Sequence, residues 1–457
     1  MTPPTRLLLL GAGRSASALI QYLVRHAPAE RWFLTVADAQ PAHLAPVLAA
    51  HSQYLRAVPF DAQNASQLHG LVAEADIVIS LLPASLHLAV AQACLALGRH
   101  LATASYVSPE VQALHPEAAE AGLVFLMECG LDPGLDHLSA MHTLDGLRAA
   151  GARVTGFRSY CGGLVAPESE GTNPWRYKIT WNPRNVVLAG QPGPARYLED
   201  GREQFIPYAE LFARAEVLVV PGHGHFEAYA NRDSLTYREA YGLADVRTLR
   251  RGTLRRPGYC GAWQVLVRLG LTDDMTLHGN SATLPWRLLM SQSCPAGEVL
   301  GDMAAYLAAR LGLDSHGPEL ERLAWLGLFS ERPVGLANAT FAQLLEHLLA
   351  EKWQLGPHDR DQVVMQHQFD YEQAGQARRR TASLVVTGTN ATATAMAQTV
   401  GLPLGMAVRR LAQGQLSARG VVIPTTAELY VPILAELAAD YGLAFVEEDR
   451  PAPPPAA

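Results

Sequence analysis

Residues 6–10, RLLLL, run directly into Gly11-Ala12-Gly13-Arg14-Ser15-Ala16, and this junction limits the fold more than any other part of the chain. An apolar run of strand length that breaks into G-x-G-x-x-A and then a helical pattern describes the first turn of a doubly wound βαβ unit. In that geometry Gly11 permits the tight turn, Gly13 lets the backbone approach a pyrophosphate, and Ala16 keeps the helix close to the sheet. The helix N-terminus adds N–H groups and the positive end of a dipole, both suited to phosphate. The other reading is a structural glycine turn that binds nothing. Asp38 favours the first, because it ends the next expected strand. An acid there hydrogen-bonds the ribose hydroxyls of NAD and repels the 2′-phosphate of NADP. Ala39 and Gln40 follow, with no arginine in the turn. The sequence therefore predicts a nicotinamide dinucleotide site, with NAD preferred over NADP.

The rest of the first third agrees. Strand-like runs at 32–37, 55–58, 76–81, 99–103 and 123–127 alternate with amphipathic stretches at 17–25, 41–50, 85–97 and 109–121. That alternation predicts an α/β fold built on a Rossmann-type parallel sheet. After Gly130 the texture changes. Strand patterns at 153–160, 217–220 and 226–229 are separated by long loops rich in Gly, Pro and Asn, and helical patterning dominates 272–355, clearest at 297–311 and 340–353. Strand character returns at 383–387. Residues 391–447 read as helix then strand folding back near the N-terminal sheet, and the closing PAPPPAA as a disordered stub. The expected organisation is a dinucleotide-binding domain over 1–138 completed by about 391–457, a second α/β domain over 139–271 and about 356–390, and a helical insertion over 272–355.

Several classes are disfavoured. With 457 residues the chain exceeds one compact core. Its 36 Lys and Arg against 43 Asp and Glu leave a net charge of -7, contrary to the basic face that nucleic acid or a membrane surface would select. Cys94, Cys129, Cys161, Cys260 and Cys294 are odd in number and show no C-x-x-C spacing, which suits a reducing cytoplasm. His223-Gly224-His225 has no Cys or Glu at zinc spacing and reads as a loop, so no metal is expected. The opening apolar run is too short for a secretion signal, and no stretch is long enough to span a bilayer.

Chemistry-bearing residues cluster at expected strand ends. Leu82, after the fourth strand, is either a contact to the nicotinamide ribose or a plain strand-to-helix turn. Ala104-Ser105-Tyr106 ends the fifth strand, and ECGLDPGLDHL (128–138) ends the sixth. Asp132 before Pro133 is either a helix N-cap or a carboxylate at the mouth of the nicotinamide crevice. Cys161 precedes Gly162-Gly163 and reads either as an inert small hydrophobe or as a site group. NPWRYKITWNPR supplies Trp175, Tyr177, Lys178, Trp181 and Arg184, a cluster suited to a nicotinamide and an acidic substrate or to a domain interface. Arg232, Arg250, Arg251, Arg255 and Arg256 concentrate positive charge in an acidic chain. Such a run is either a solvated face or a carboxylate-recognition surface.

The motifs GLDPGLDHL, SYCGGLVAPE, NPWRYKITWNPR, NRDS and RGTLR occur here in the order found in the glutamate-forming saccharopine dehydrogenases, which the chain resembles over nearly its whole length. The resemblance implies a Rossmann domain formed by both chain ends, a central α/β domain for substrate binding and dimerisation, and a helical insertion. It implies that substrate meets Ser105, Tyr106, Asp132, Arg232, Thr253, Leu254 and Arg255. It implies that the cofactor meets Gly11, Gly13, Arg14, Ser15, Ala16, Asp38, Asp61, Leu82, Ala104, Ser105, Leu131, Asp132, Leu135 and Trp181. Asp132 and Cys161 would lie near the reacting centre. Family members that use NADP carry a small residue and an arginine after the second strand. Ala37-Asp38 departs from that, which keeps the expectation on NAD and on the degradative direction.

The implied reaction suits the residues. Saccharopine carries carboxylates, a primary amine and a secondary amine, so its site needs guanidinium groups and a carboxylate, for which Arg232, Arg255 and Asp132 are the candidates. Oxidation beside the secondary amine leaves an imine, and water then releases glutamate and 2-aminoadipate 6-semialdehyde. The steps after hydride transfer need a proton shuttle. The candidates are Asp132 with Cys161, Lys178 or His137. Two alternatives stand: a carboxynorspermidine-type imine reductase on the same scaffold, which would need fewer arginines, and a catalytically silent NAD-binding protein. A cytoplasmic homodimer is the expected form.

Overall fold

The computed structural model describes residues 4–191, 193–279, 281–292 and 302–452, and it divides into two compact units. Cys294 and the first part of the helix expected at 297–311 lie outside the described residues. The first unit comprises Met1–Ala152 and Thr392–Val446. Its core is a seven-stranded, all-parallel sheet made of β1 (Thr5–Leu10), β2 (Trp32–Asp38), β3 (Leu55–Pro59), β4 (Ile77–Ser80), β5 (His100–Thr103), β6 (Val124–Leu126) and β7 (Gly420–Val422). The strand order is β7-β6-β5-β4-β1-β2-β3. This is the doubly wound Rossmann order extended by one strand from the C-terminal part of the chain. The central strands are buried along their length, which is why they read as unbroken apolar runs rather than as alternating patterns.

The helices that position the candidate site are α1 (Ser17–Glu30), α2 (His87–Leu97), α3 (Leu135–Ala149), α4 (Ala395–Ala412) and α5 (Ala427–Tyr441). The unit runs through α3, beyond the boundary expected at 138. Tyr430 of α5 ties α3 down by donating its hydroxyl to Asp145 at 2.7 Å. The returning helix α4 is seated on α1 by a seam of small residues. A Cβ on Gly401 would stand 2.7 Å from the Leu19 backbone nitrogen, and one on Gly405 would stand 2.6 Å from the Tyr22 ring. Arg409 of α4 reinforces the seam by donating to Glu30 at 2.6 Å.

The second unit, Arg153–Ala391 with Glu447–Ala457, is built on a nine-stranded mixed sheet. Its main path runs Glu216–Val220, Gly224–Ala230, Thr248–Arg255, Arg153–Val165, Asp361–Gln373, Gln376–Thr387 and Val446–Pro451. Thr248–Arg255 and Arg153–Val165 pair in parallel, whereas Arg153–Val165 and Asp361–Gln373 pair antiparallel. The helical residues of 272–355 belong to this unit and share one core with its aromatic residues, including Trp175, Tyr259, Trp263 and Trp353. Two expectations about the tail change. Pro451 lies in a strand rather than in a disordered stub, and Glu447 onward belongs to the second unit rather than the first. The cause is charge: VEEDRP lies beside the arginine-rich strand Gln376–Thr387, and Asp449 accepts from Arg378, Arg380 and Tyr371. Opposite charges across neighbouring strands stabilise the pairing.

The Gly401 seam makes a prediction whose sign runs against helix propensity. Glycine to alanine in a helix interior ordinarily gains up to about 1 kcal/mol. Here the added methyl meets backbone, so Gly401→Ala is expected to lose about 1–3 kcal/mol from overpacking. Urea denaturation followed by circular dichroism reads this as a lowered midpoint. An unchanged or raised midpoint would show that α4 does not approach α1 this closely.

Candidate active site

The glycine turn is built as the sequence predicts. β1 ends at Leu10, a 3-10 turn over Arg14–Ala16 follows, and α1 continues from it. Gly11 has φ +89°, and a Cβ there would lie 3.2 Å from the Leu81 carbonyl, so the close crossing from β1 to the end of β4 admits only glycine. Nothing lies within 4 Å of a Cβ built on Gly13, which leaves the space above the turn open. Asp38 is tied back to this turn: its carboxylate accepts the Ala12 N–H and the Gln40 N–H, both at 2.8 Å. His43 closes the same loop through ring contacts to the Ala12 carbonyl at 2.9 Å and the Gln40 carbonyl at 2.7 Å.

Two hydrogen-bonded clusters occupy the carboxyl edge of the sheet. The first surrounds Glu128, just past β6. Glu128 adopts φ +58°, and its N–H donates to the Ser105 carbonyl at 3.1 Å. Its carboxylate accepts the Val107 N–H at 2.9 Å and contacts His137 Nε2 at 2.8 Å. Glu128 and His137 are both buried. Between these two anchors Tyr106 donates its hydroxyl to Asp132 at 3.0 Å. Asp132 is not the N-cap of α3, the alternative left open above. Gly134 holds that place, and the nearby carboxylate that takes the Gly134 and His137 N–H groups is Asp136. Gly134 must be glycine, because its φ is +145° and a Cβ would stand 2.2 Å from Gly130 backbone. The second cluster joins Ser80, His87 and Ser105. His87 contacts the Ser80 hydroxyl through Nδ1 at 3.0 Å and the Ser105 hydroxyl through Nε2 at 2.7 Å. Burial pushes the imidazole down to about 4.

Of the other expected cofactor residues in this unit, Leu82 and Ala104 are half-buried at the strand ends, and Leu131 and Leu135 are buried. Asp61 is exposed, and its carboxylate accepts the Gln63 N–H at 2.9 Å.

In the second unit Cys161 and Thr253 are Cα partners on adjacent strands, with Tyr229 next to Thr253 in the row. Sequence reasoning did not foresee that neighbourhood. The RRGTLRR run is not a solvated face, since Arg250, Arg251, Arg255 and Arg256 are all buried. Arg250 pairs with Glu216 at 2.6 Å and lies over the Tyr197 ring. Arg251 lies over Tyr237. Arg255 is enclosed by the rings of Tyr177, Tyr229 and Tyr259 and donates to the Leu254 carbonyl at 2.9 Å. Leu254 is fully buried, and Thr253 is half-buried. Arg232 is exposed, with φ +47°. Lys178 is bound to Asp359 at 2.6 Å, and Trp181 packs against the aromatic core. His223 and His225 lie in or beside an exposed hairpin turn. Among the described residues no group of three or more His, Cys, Asp or Glu side chains could hold a metal ion, and no helix is long and apolar enough to cross a membrane.

Fold and glycine turn together define a two-unit protein of the Rossmann dinucleotide-binding class. Residues 7–126 match the saccharopine dehydrogenase NADP binding domain and residues 130–443 match the saccharopine dehydrogenase C-terminal domain. The chain belongs to the saccharopine dehydrogenase family. It is 34% identical to a saccharopine dehydrogenase [NADP(+), L-glutamate-forming] of Saccharomyces cerevisiae, over 96% of this chain and 98% of that one. It is 35% identical to the mitochondrial alpha-aminoadipic semialdehyde synthase of Mus musculus over 97% of its own length, but spans only 48% of that protein. The solved apo saccharopine dehydrogenase (L-Glu forming) of Saccharomyces cerevisiae superposes with a TM-score of 0.82 at 31% identity, covering 97% of this chain and 99% of that one. A homospermidine synthase from Legionella pneumophila shares the fold, with a TM-score of 0.54 at 13% identity over 97% of this chain and 91% of that one.

These matches overturn the preference for NAD. The matched first domain is described as NADP binding, and the Saccharomyces relative is named for NADP(+). The structure supplies the physical reason why Asp38 misled. Its carboxylate is held by one backbone N–H of the glycine turn and one from Gln40, two residues past Asp38, so its presence does not by itself mark a ribose acceptor that repels a 2′-phosphate.

Removing Glu128 should expose how much the first cluster holds. Glu128→Ala removes the acceptor of the half-buried Val107 N–H and the carboxylate contact of buried His137 Nε2, each costing about 1–3 kcal/mol. The expected loss in urea denaturation is therefore about 2–6 kcal/mol, with Glu128→Gln recovering part of it. A loss below about 1 kcal/mol would mean that water or another group serves the same N–H.

Proposed function

We propose that the chain oxidises saccharopine with NADP+ and water, releasing L-glutamate and 2-aminoadipate 6-semialdehyde. The observation that carries this is full-length similarity, 34% over 98% of a relative of that name, on a chain whose glycine turn is open above Gly13. Gly11, Gly13, Arg14, Ser15 and Ala16 would hold the dinucleotide, with Asp38 securing the turn and Leu82, Ala104 and Ser105 lying at the strand ends beside it. When bound, the nicotinamide supplies the hydride acceptor for the carbon beside the secondary amine. Everything else falls to this chain's residues.

The hydrogen-bonded pair of Tyr106 and Asp132 is the best candidate to move protons. Its carboxylate and phenol are already joined at 3.0 Å, and its two flanks are clamped through Glu128. Lys178 is a weaker candidate, because Asp359 holds its ammonium. Cys161 is assigned a place beside Thr253 on the strand row. Arg232, exposed on its loop, suits a substrate carboxylate. Arg255 is assigned to shape the site through its tyrosines rather than to reach the substrate itself. The degradative direction loses the support that the NAD preference gave it. The imine reductase alternative has only the fold of the homospermidine synthase behind it. The reading extends to a cytoplasmic homodimer, which sedimentation of the purified protein tests in part.

The direct test is absorbance of reduced nicotinamide with saccharopine and either NADP+ or NAD+. Rapid reduction of NADP+ with one glutamate released per turnover is expected. A folded protein that binds NADPH yet reduces neither cofactor would sink the proposal. Arg232→Ala should then raise the KM for saccharopine about tenfold, since a hydrogen bond to a charged group contributes about 1.5–3 kcal/mol. A wild-type KM would remove Arg232 from the site.

A further inference from the structure

His87 was absent from every expected site, yet it sits at the centre of a closed ring of hydrogen bonds at the ends of β4 and β5. Ser80, at the end of β4, is fully buried, and His87, the first residue of α2, is 3% exposed. His87 joins the Ser80 and Ser105 hydroxyls through its two nitrogens. The Ser105 N–H donates to the Thr103 hydroxyl at 3.2 Å, and that hydroxyl donates to the Ser80 carbonyl at 2.7 Å, which closes the ring. Carboxyl ends of strands are where doubly wound sheets present groups to their ligands, and Ser105 is the member of this ring that is only half-buried.

The tautomer follows from satisfaction of the buried hydroxyl. Ser80, with no access to water, needs an acceptor for its O–H, and His87 Nδ1 at 3.0 Å is one. Nδ1 is then unprotonated. Because burial holds the ring neutral near pH 7, Nε2 carries the hydrogen and donates it to Ser105 Oγ. A hydroxyl that accepts from a fixed imidazole keeps its own hydrogen for another acceptor. We propose that His87 is a positioning residue, locking the Ser105 hydroxyl as an outward donor to a carboxylate of the substrate. This rests on the function proposed above.

Two kinds of measurement test it. In turnover with saccharopine, His87→Leu should raise KM about tenfold with kcat within about threefold. His87→Gln, whose amide can reach the Ser105 side, should recover most of that loss. Ser105→Ala should match His87→Leu, and the double variant should be no worse than either single one. Additive losses, or an unchanged KM in folded His87→Leu, would overturn the proposal. The second measurement needs no turnover: 15N NMR of the histidine rings, with His87 assigned by its loss in His87→Gln. An Nε2–H tautomer that persists in Ser105→Ala, where Ser80 still occupies Nδ1, is expected, and an Nδ1–H tautomer overturns the proposal. A wild type silent towards saccharopine but with the Nε2–H tautomer would instead fault the proposed substrate.

Discussion

Where the central strands of a parallel sheet end, backbone and side-chain polar groups are buried between helices, and each must find a partner or cost about 1–3 kcal/mol. The arrangement at the ends of β5 and β6 follows from that need. Glu128 serves one neighbouring loop twice, donating its N–H to the Ser105 carbonyl and accepting the Val107 N–H on its carboxylate. A left-handed residue that is neither glycine nor asparagine is uncommon and strained. At φ +58° Glu128 tolerates this because the conformation lets main chain and side chain engage the same segment. The remaining carboxylate oxygen turns to His137 on α3, so one residue joins the strand end, the loop and the helix. Tyr106 and Asp132 owe their meeting to these anchors.

The second unit solves a different problem, the burial of cations. Four arginines within seven residues would be a heavy desolvation cost if placed in an apolar core. The sequence places tyrosines and a phenylalanine around them, and each guanidinium lies on at least one ring: Arg250 on Tyr197, Arg251 on Tyr237, Arg255 on three tyrosines and Arg256 on Phe226. A desolvated cation over an aromatic face recovers about 2 kcal/mol, and the guanidinium is weakly hydrated to begin with. Arg256 adds hydrogen bonds to Gln362 and the Val165 carbonyl. Lysine at these positions would lose both the planar stacking and the spread of donors.

Much of the parallel sheet was legible because its signal is local. The six early strands are short apolar runs with a glycine turn after the first, and the structure moves their ends by only a residue or two. Motif order identified the family, since five multi-residue segments in sequence are hard to reproduce by chance. What stayed hidden depends on neighbours remote in sequence. The arginine run reads as surface until the tyrosines of other elements are folded over it. Val446–Pro451 reads as a tail until the arginines of Gln376–Thr387 stand beside its acids. His87 offers no motif, only a histidine at the start of a helix, and its meaning comes from Ser80 and Ser105 on two different strand ends.

Asp38 shows where residue identity alone fails. The inference from an acid at the end of β2 to NAD assumes that the carboxylate faces a ribose as an unengaged acceptor. Here the same carboxylate takes the N–H groups of Ala12 and Gln40, so it helps build the glycine turn. Each such charge-assisted bond is stronger than a neutral one, so the carboxylate is fixed in place by the backbone it serves. A structural duty of this kind accounts for the acid in this chain without reference to the dinucleotide bound. The His43 ring, which contacts the Ala12 and Gln40 carbonyls, completes the same loop.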